Sequence, residues 1–202
     1  MNSKKKQDQV KSKSVFESKG LNDRGNGALV EGLIADLASH NDSVRVKARH
    51  SLVAMGRIAV SPMVQALKNK NNLVRWEITK ALGEIGDPET VPALIKALED
   101  EEFDVRWLAA EGLIKMNINV LKPLLQALEN KGDSILLQEG AHHVFHDLAK
   151  GALRKFLVPV LAALERLEPG TEVPWVARHD MGVEVPLAAR QALNLLEKTK
   201  TI

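Results

Sequence analysis

The feature that most constrains this chain is a period. Val44-Arg45, Val74-Arg75 and Val105-Arg106 recur at spacings of 30 and 31 residues, and Met55-Gly56, Ile85-Gly86 and Met116-Asn117 repeat with the same offsets. Ala66-Leu67, Ala97-Leu98 and Ala127-Leu128 follow at 31 and 30, so the single-residue difference falls in the turn that carries Asp87-Pro88. A unit this short cannot bury its own apolar face, and stacking of neighbouring units has to supply the core. The period therefore predicts a chain whose size comes from repetition of one stacked unit and not from one central core.

Each unit reads as two helices. The first, over about 42–55 in unit one, opens at Asp42 as N-cap, with Asn72 and Asp133 in the matching position and Asp104 one place later. It closes at Gly56 or Gly86, where glycine tolerates the left-handed residue that ends a helix. In unit two Asp87 caps the second helix and Pro88 takes its first position, where no N–H is needed. Met63, Val64 and Leu67, then Leu94, Ile95 and Leu98, then Leu124, Leu125 and Leu128 give each second helix one buried face.

Extended backwards, the period places Leu33, Ile34 and Leu37 in those slots, so the array begins with a lone second-type helix near 28–39. Forwards it reaches Val160, Leu161 and Leu164, but Pro123 and Pro159 are 36 apart, which makes the fourth repeat (131–167) irregular by about five residues. A stretch over 168–184 reads as a long loop, and a last first-type helix is expected from about Val185 to Lys198. The layout is thus a basic tail over 1–26 and an array of about five units over 27–202.

The run Asn72-Leu73-Val74-Arg75-Trp76-Glu77-Ile78-Thr79-Lys80-Ala81-Leu82-Gly83-Glu84-Ile85-Gly86-Asp87-Pro88, followed by Val91-Pro92-Ala93-Leu94-Ile95-Lys96-Ala97-Leu98, resembles the short HEAT repeat of the phycobilisome-lyase type. The resemblance is strong over 42–130, weaker over 28–41 and 131–167, and does not extend to the tail. It implies an all-α fold, an α-solenoid of antiparallel helix pairs wound as a right-handed superhelix with second-type helices on its concave side, and a protein that holds another protein there. Relatives with HEAT repeats also include enzymes. Deoxyhypusine hydroxylase binds iron through His-Glu dipeptides, of which this chain has none. Phycobilin lyases share the repeat, but the repeat itself transfers no lyase residue.

On the residues alone, the candidate partner surface is a ladder between the apolar slots of successive second helices: Gln65 and Lys68, Lys96 and Glu99, Gln126 and Glu129. Members of each pair are three apart and so share a face. The first helices should show a mixed stripe of Lys47 and His50, Glu77 and Lys80, Glu111 and Lys115. Arg45, Arg75 and Arg106 read as a ladder bonding acids or carbonyls of neighbouring turns, with Trp76 and Trp107 beside them as packing between repeats. Trp175 and Arg178 add a possible grip within the loop.

The irregular repeat contains Glu139-Gly140-Ala141-His142-His143-Val144-Phe145-His146. His142 and His146 are four apart, and Glu139 reaches both His142 and His143, so an iron or zinc ion is the alternative reading of this cluster. Two helix registers are open. One carries His143 and His146 into slots held elsewhere by leucine, isoleucine or methionine, and the other turns Ala141, Val144, Phe145 and Leu148 inward and the histidines outward. On the scaffold reading no cofactor and no catalytic residue is expected. On the enzymatic reading the chain is a bilin lyase-like subunit or a metal-dependent hydroxylase using Glu139, His142, His143 and His146.

Composition narrows the remaining classes. The formal charge is +2, but residues 1–26 carry seven bases against three acids, which leaves the array at −2 and argues against a nucleic-acid groove. With no cysteine there are no disulfides and no thiolate ligands. No run approaches the roughly 18 apolar residues of a membrane span, and Lys4-Lys5-Lys6 is not followed by an apolar segment, so a cytoplasmic protein with a protein partner is expected.

Overall fold

A computed structural model describes residues 25–165 and 175–199, with side chains of the final helix from residue 184 onward. Among these residues the chain is helical throughout, with no strand. A helix over 25–36 (α1) is followed by α2 (Asp42–Met55), α3 (Arg57–Ala66), α4 (Asn72–Ile85), a single 3-10 turn Pro88–Thr90, and α5 (Val91–Ala97). Then come α6 (Phe103–Met116), α7 (Ile118–Asn130), α8 (Ile135–Leu148), α9 (Arg154–Glu165) and α10 (Trp175–Thr199).

Helix ends follow local chemistry, one residue away from the expected caps. Asn41 and Asn71, not Asp42 and Asn72, cap α2 and α4, each accepting from the N–H two residues on at 2.9 and 3.0 Å. Ser134, not Asp133, accepts from Leu137 at α8, and α6 begins after Glu102 with no side-chain cap. Asp87 caps as expected, accepting from Glu89 at 2.9 Å, although the turn it starts is 3-10 before α5 begins. Gly56, Gly86 and Asn117 occupy one slot with φ of 57°, 64° and 51°. That slot reverses the chain between the two helices of a unit, with Gly86 left-handed at ψ 22° and Gly56 and Asn117 in a second positive-φ conformation at ψ −130° and −122°.

The first-type helices α2, α4, α6 and α8 pack in sequence against one another, and α3, α5, α7 and α9 pack against them, α5 also against α7. Between them lies one continuous core, in which Leu52, Met63, Ile78, Leu82, Leu94, Leu98, Leu113, Leu124 and Leu128 are fully buried. The approach of α4 to α6 is set by Gly83 and Gly112. A Cβ on Gly112 would stand 3.0 Å from the Gly83 Cα and 3.3 Å from Leu94 Cδ1.

Arg45, Arg75 and Arg106 perform the expected structural task. Each donates from its NH1 to the carbonyl six residues earlier, Ser39 at 2.7 Å, Asn69 at 2.9 Å and Asp100 at 2.8 Å. Arg75 also grips Asp100 with two bonds of 2.8 and 2.9 Å and reaches Glu101 at 2.9 Å, binding one unit to the next turn. Glu77, expected on an exposed stripe, is instead buried at 3% exposure. It accepts from Arg49 at 2.9 Å, while Arg49 also meets Glu84 at 2.6 Å. Burial is tolerated because both charges are paired across the α2–α4 contact.

Repeat four resolves into the second of the two registers. Helix α8 starts 32 residues after α6, and Ala141, Val144 and Phe145 are fully buried, with Leu148 at 8%. The remaining length lies between α8 and α9, a five-residue connection (149–153) where units one and three have a single residue and unit two has 86–90 with its 3-10 turn. Gln138 then falls in the arginine slot and, like the arginines, donates to the carbonyl six residues back, at Gly132.

The C-terminal part differs from expectation in two respects. Residues 175–184, read as loop, have helical backbone and open α10, directly after Pro174. The helix expected near 185–198 exists, but it does not extend the first-type layer: its neighbours are α7 and α9 rather than α8. Ala188, Ala189 and Ala192 line its buried face together with Val185 and Leu193, and these small side chains let it settle on the leucines of α7.

Three substitutions test this packing. Glu77→Ala leaves Arg49 partly uncompensated and is expected to cost about 3 kcal/mol, read as a lower urea midpoint. Gly112→Ala is expected to cost about 1–3 kcal/mol by pushing α4 and α6 apart, while Gly32→Ala, which meets nothing within 4 Å, stabilises or leaves the midpoint unchanged.

Candidate functional site

The second-type helices carry the ladder read from the sequence, and the structure divides its six residues into two kinds. Gln65, Lys68, Lys96 and Gln126 are exposed. Glu99 and Glu129 are half-buried and engaged. Glu99 accepts from Ser134 Oγ at 2.7 Å and from Lys131 Nζ at 3.0 Å, so it fastens α5 to the start of α8 across a whole unit. Glu129 accepts from Arg190 Nε at 2.7 Å, which holds α10 on α7. Neither contact is visible in the periodic pattern, because the partners lie 32 to 61 residues away in sequence.

Burial works against the charged form of Glu99. The Ser134 hydroxyl and the Lys131 ammonium, with Lys96 nearby, outweigh it and hold the carboxyl below the ordinary glutamate range.

Gln65, Lys68, Lys96 and Glu99 all line one groove between α3 and α5, of about 490 Å³. Its floor is Val64, Leu67, Ala93 and Ala97, and Asp100 closes one side. Both acids of the groove are committed, Glu99 to Ser134 and Lys131 and Asp100 to Arg75. Lys68 and Lys96 stand at the rim without an ion pair within 4 Å among the described residues, which leaves the groove apolar below and cationic above.

Of the repeat-four histidines, His146 is exposed and His143 half-buried, whereas His142 is half-buried with its Nε2 shielded from solvent and without a hydrogen-bond partner among the described residues. His143 Nε2 lies 3.3 Å from Glu111 Oε1, and its ring rests against Trp107 with centroids 4.7 Å apart. Trp107 is 48% exposed and stacks in turn on Phe103, so it is less a packing residue than its slot implies, whereas Trp76 is partly buried under Lys80. His142 and His146 face each other at 6.2 Å, and Glu139 is exposed without joining them. Among the described residues no three His, Cys, Asp or Glu side chains converge as a metal site would require. The side chains of Trp175 and Arg178 lie outside the described residues, as do residues 1–24 of the basic tail. No described helix is long and apolar enough to cross a membrane.

A family model for HEAT repeats matches residues 29–114 and, in a second overlapping placement, 60–142. No curated protein sequence matches the chain. Among solved structures, the crystal structure of an engineered protein is similar over 81% of this chain and 80% of that one, at 17% identity and a TM-score of 0.39.

Glu99 gives a pH-dependent test. Its carboxyl is held low in the fold, so its contribution is fully present above the unfolded value of about 4.3 and is lost as pH falls through the folded value. Glu99→Gln is expected to lower stability at pH 7 by about 1 kcal/mol, and the gap to the wild type should close as pH drops below about 4. Chemical denaturation at a series of pH values reads both.

Proposed function

The chain belongs to the HEAT-repeat family, whose arrays are generally protein-interaction scaffolds, and from that premise we propose that this protein holds a partner protein on its second-type helix face, at the groove between α3 and α5. The observation that carries the reading is the division within that groove. Its carboxylates are spent on internal contacts, whereas Lys68, Lys96 and Gln65 stand at the rim over an apolar floor of Val64, Leu67, Ala93 and Ala97. A floor that gains by losing water, with polar groups around it to set orientation, is the usual composition of an interface centre.

The 30- to 31-residue period and the Asn72–Pro88 segment support the short phycobilisome-lyase type of repeat, with the second-type face as the concave one. The reading also places the protein in the cytoplasm. In this proposal Gln126 extends the surface towards α7, while Glu129 contributes only indirectly, by fixing α10.

Affinity isolation with the tagged full chain, followed by mass spectrometry, tests the surface. The double variant Lys68→Glu with Lys96→Glu is expected to lose partners that the wild type recovers. Lys47→Glu, on the exposed side of α2, is expected to keep them. A double variant that recovers every wild-type partner would sink the assignment.

A further inference from the structure

The C-terminal helix shows what kind of object the second-type face accepts. Helix α10 lies on α7 and α9, presents the spacing Val185, Ala188, Ala189, Ala192, Leu193, and pairs its Arg190 with Glu129 at 2.7 Å. On α7 the slots Leu125 and Leu128 are fully buried. The same two slots on α3 are Val64 and Leu67, and both remain only partly buried. Among the described residues no helix packs into the groove between α3 and α5 as α10 packs against α7 and α9.

Charge then distinguishes the two places. The slot that holds Glu129 on α7 holds Lys68 on α3, so the position that receives a guanidinium from α10 is reversed in sign. Lys96, at the opposite rim, adds a second positive charge. This excludes two occupants belonging to the chain itself. The N-terminal segment, with seven bases against three acids over 1–26, is repelled, and α10 from a second copy would set Arg190 against Lys68.

We propose that the groove between α3 and α5 receives an amphipathic helix from a partner protein, small and apolar on its buried face and carrying a carboxylate opposite Lys68. This rests on the scaffold reading above and names the chemistry of its ligand. The mode is helix-in-groove recognition, in which apolar anchors at i, i+3 and i+4 seat the helix and one charge selects it.

The probes are two synthetic peptides with the sequence of residues 184–199, one carrying Arg190→Glu and one unaltered, each labelled and titrated with the full chain by fluorescence anisotropy. The acidic peptide is expected to bind about five- to tenfold more tightly than the basic one, and Lys68→Glu is expected to reverse that order. Lys68 is exposed, and a thermal melt of the variant confirms that its fold is kept. Absence of acidic-peptide binding, equal affinity for both peptides, or a preference that survives Lys68→Glu would each overturn the proposal. The two readings fail separately. If a natural partner depends on Lys68 and Lys96 while the acidic peptide does not bind, the ligand chemistry is wrong and the scaffold stands. If the peptides show the charge reversal while no natural partner depends on those lysines, the groove chemistry stands and the scaffold assignment falls.

Discussion

A helix of 10 to 14 residues with one apolar stripe has no stable solution alone in water, and every other property of this molecule follows from how its helices solve that problem together. Each unit lends its stripe to the next, so the core is continuous from Val30 to Leu193 without any central point. Stacking also requires that consecutive units keep their distance and angle. Gly83 against Gly112 sets how near α4 comes to α6, and the guanidinium of Arg75 holds the turn at Asp100. The groove between α3 and α5 exists because this geometry spaces the second helices apart where no further described helix packs between them.

What could be read from the chain and what could not divide along the range of the interaction. The chain reversals at Gly56, Gly86 and Asn117 and the apolar slots of the second helices are local and repeated, and each is dictated by residues within one turn. The arginine ladder was legible for the same reason: its carbonyl bond spans six residues and recurs. Caps slipped by one residue because Asn41-Asp42 and Asn71-Asn72 each offer two capping side chains in succession.

The surface was harder. Glu77, Glu99 and Glu129 look alike in sequence, yet one is buried with Arg49, one clips Ser134 and Lys131, and one receives Arg190. Their partners are 28 to 61 residues away, beyond anything a period of 30 can encode unambiguously. Repeat four shows the same limit. Only the inward spacing of Ala141, Val144, Phe145 and Leu148 separates its two registers, and Gln138 in the arginine slot is recognisable once that register is known. The candidate ladder thus survives as four exposed residues, with two glutamates acting as fasteners beneath it.

The bond between Arg190 and Glu129 changes how the array comes together in time. Unit-to-unit contacts of the ladder close loops of 25 to 35 residues, whereas this one closes a loop of 61. Local closures are fast, and longer ones add an entropic cost before they return any stabilisation. During synthesis the units up to α7 can stack as they emerge, but the side of α7 that packs against α10 stays without its cover until α10 has been made. The C-terminal end is therefore the last part of the chain to leave the window in which exposed leucines invite association with other chains.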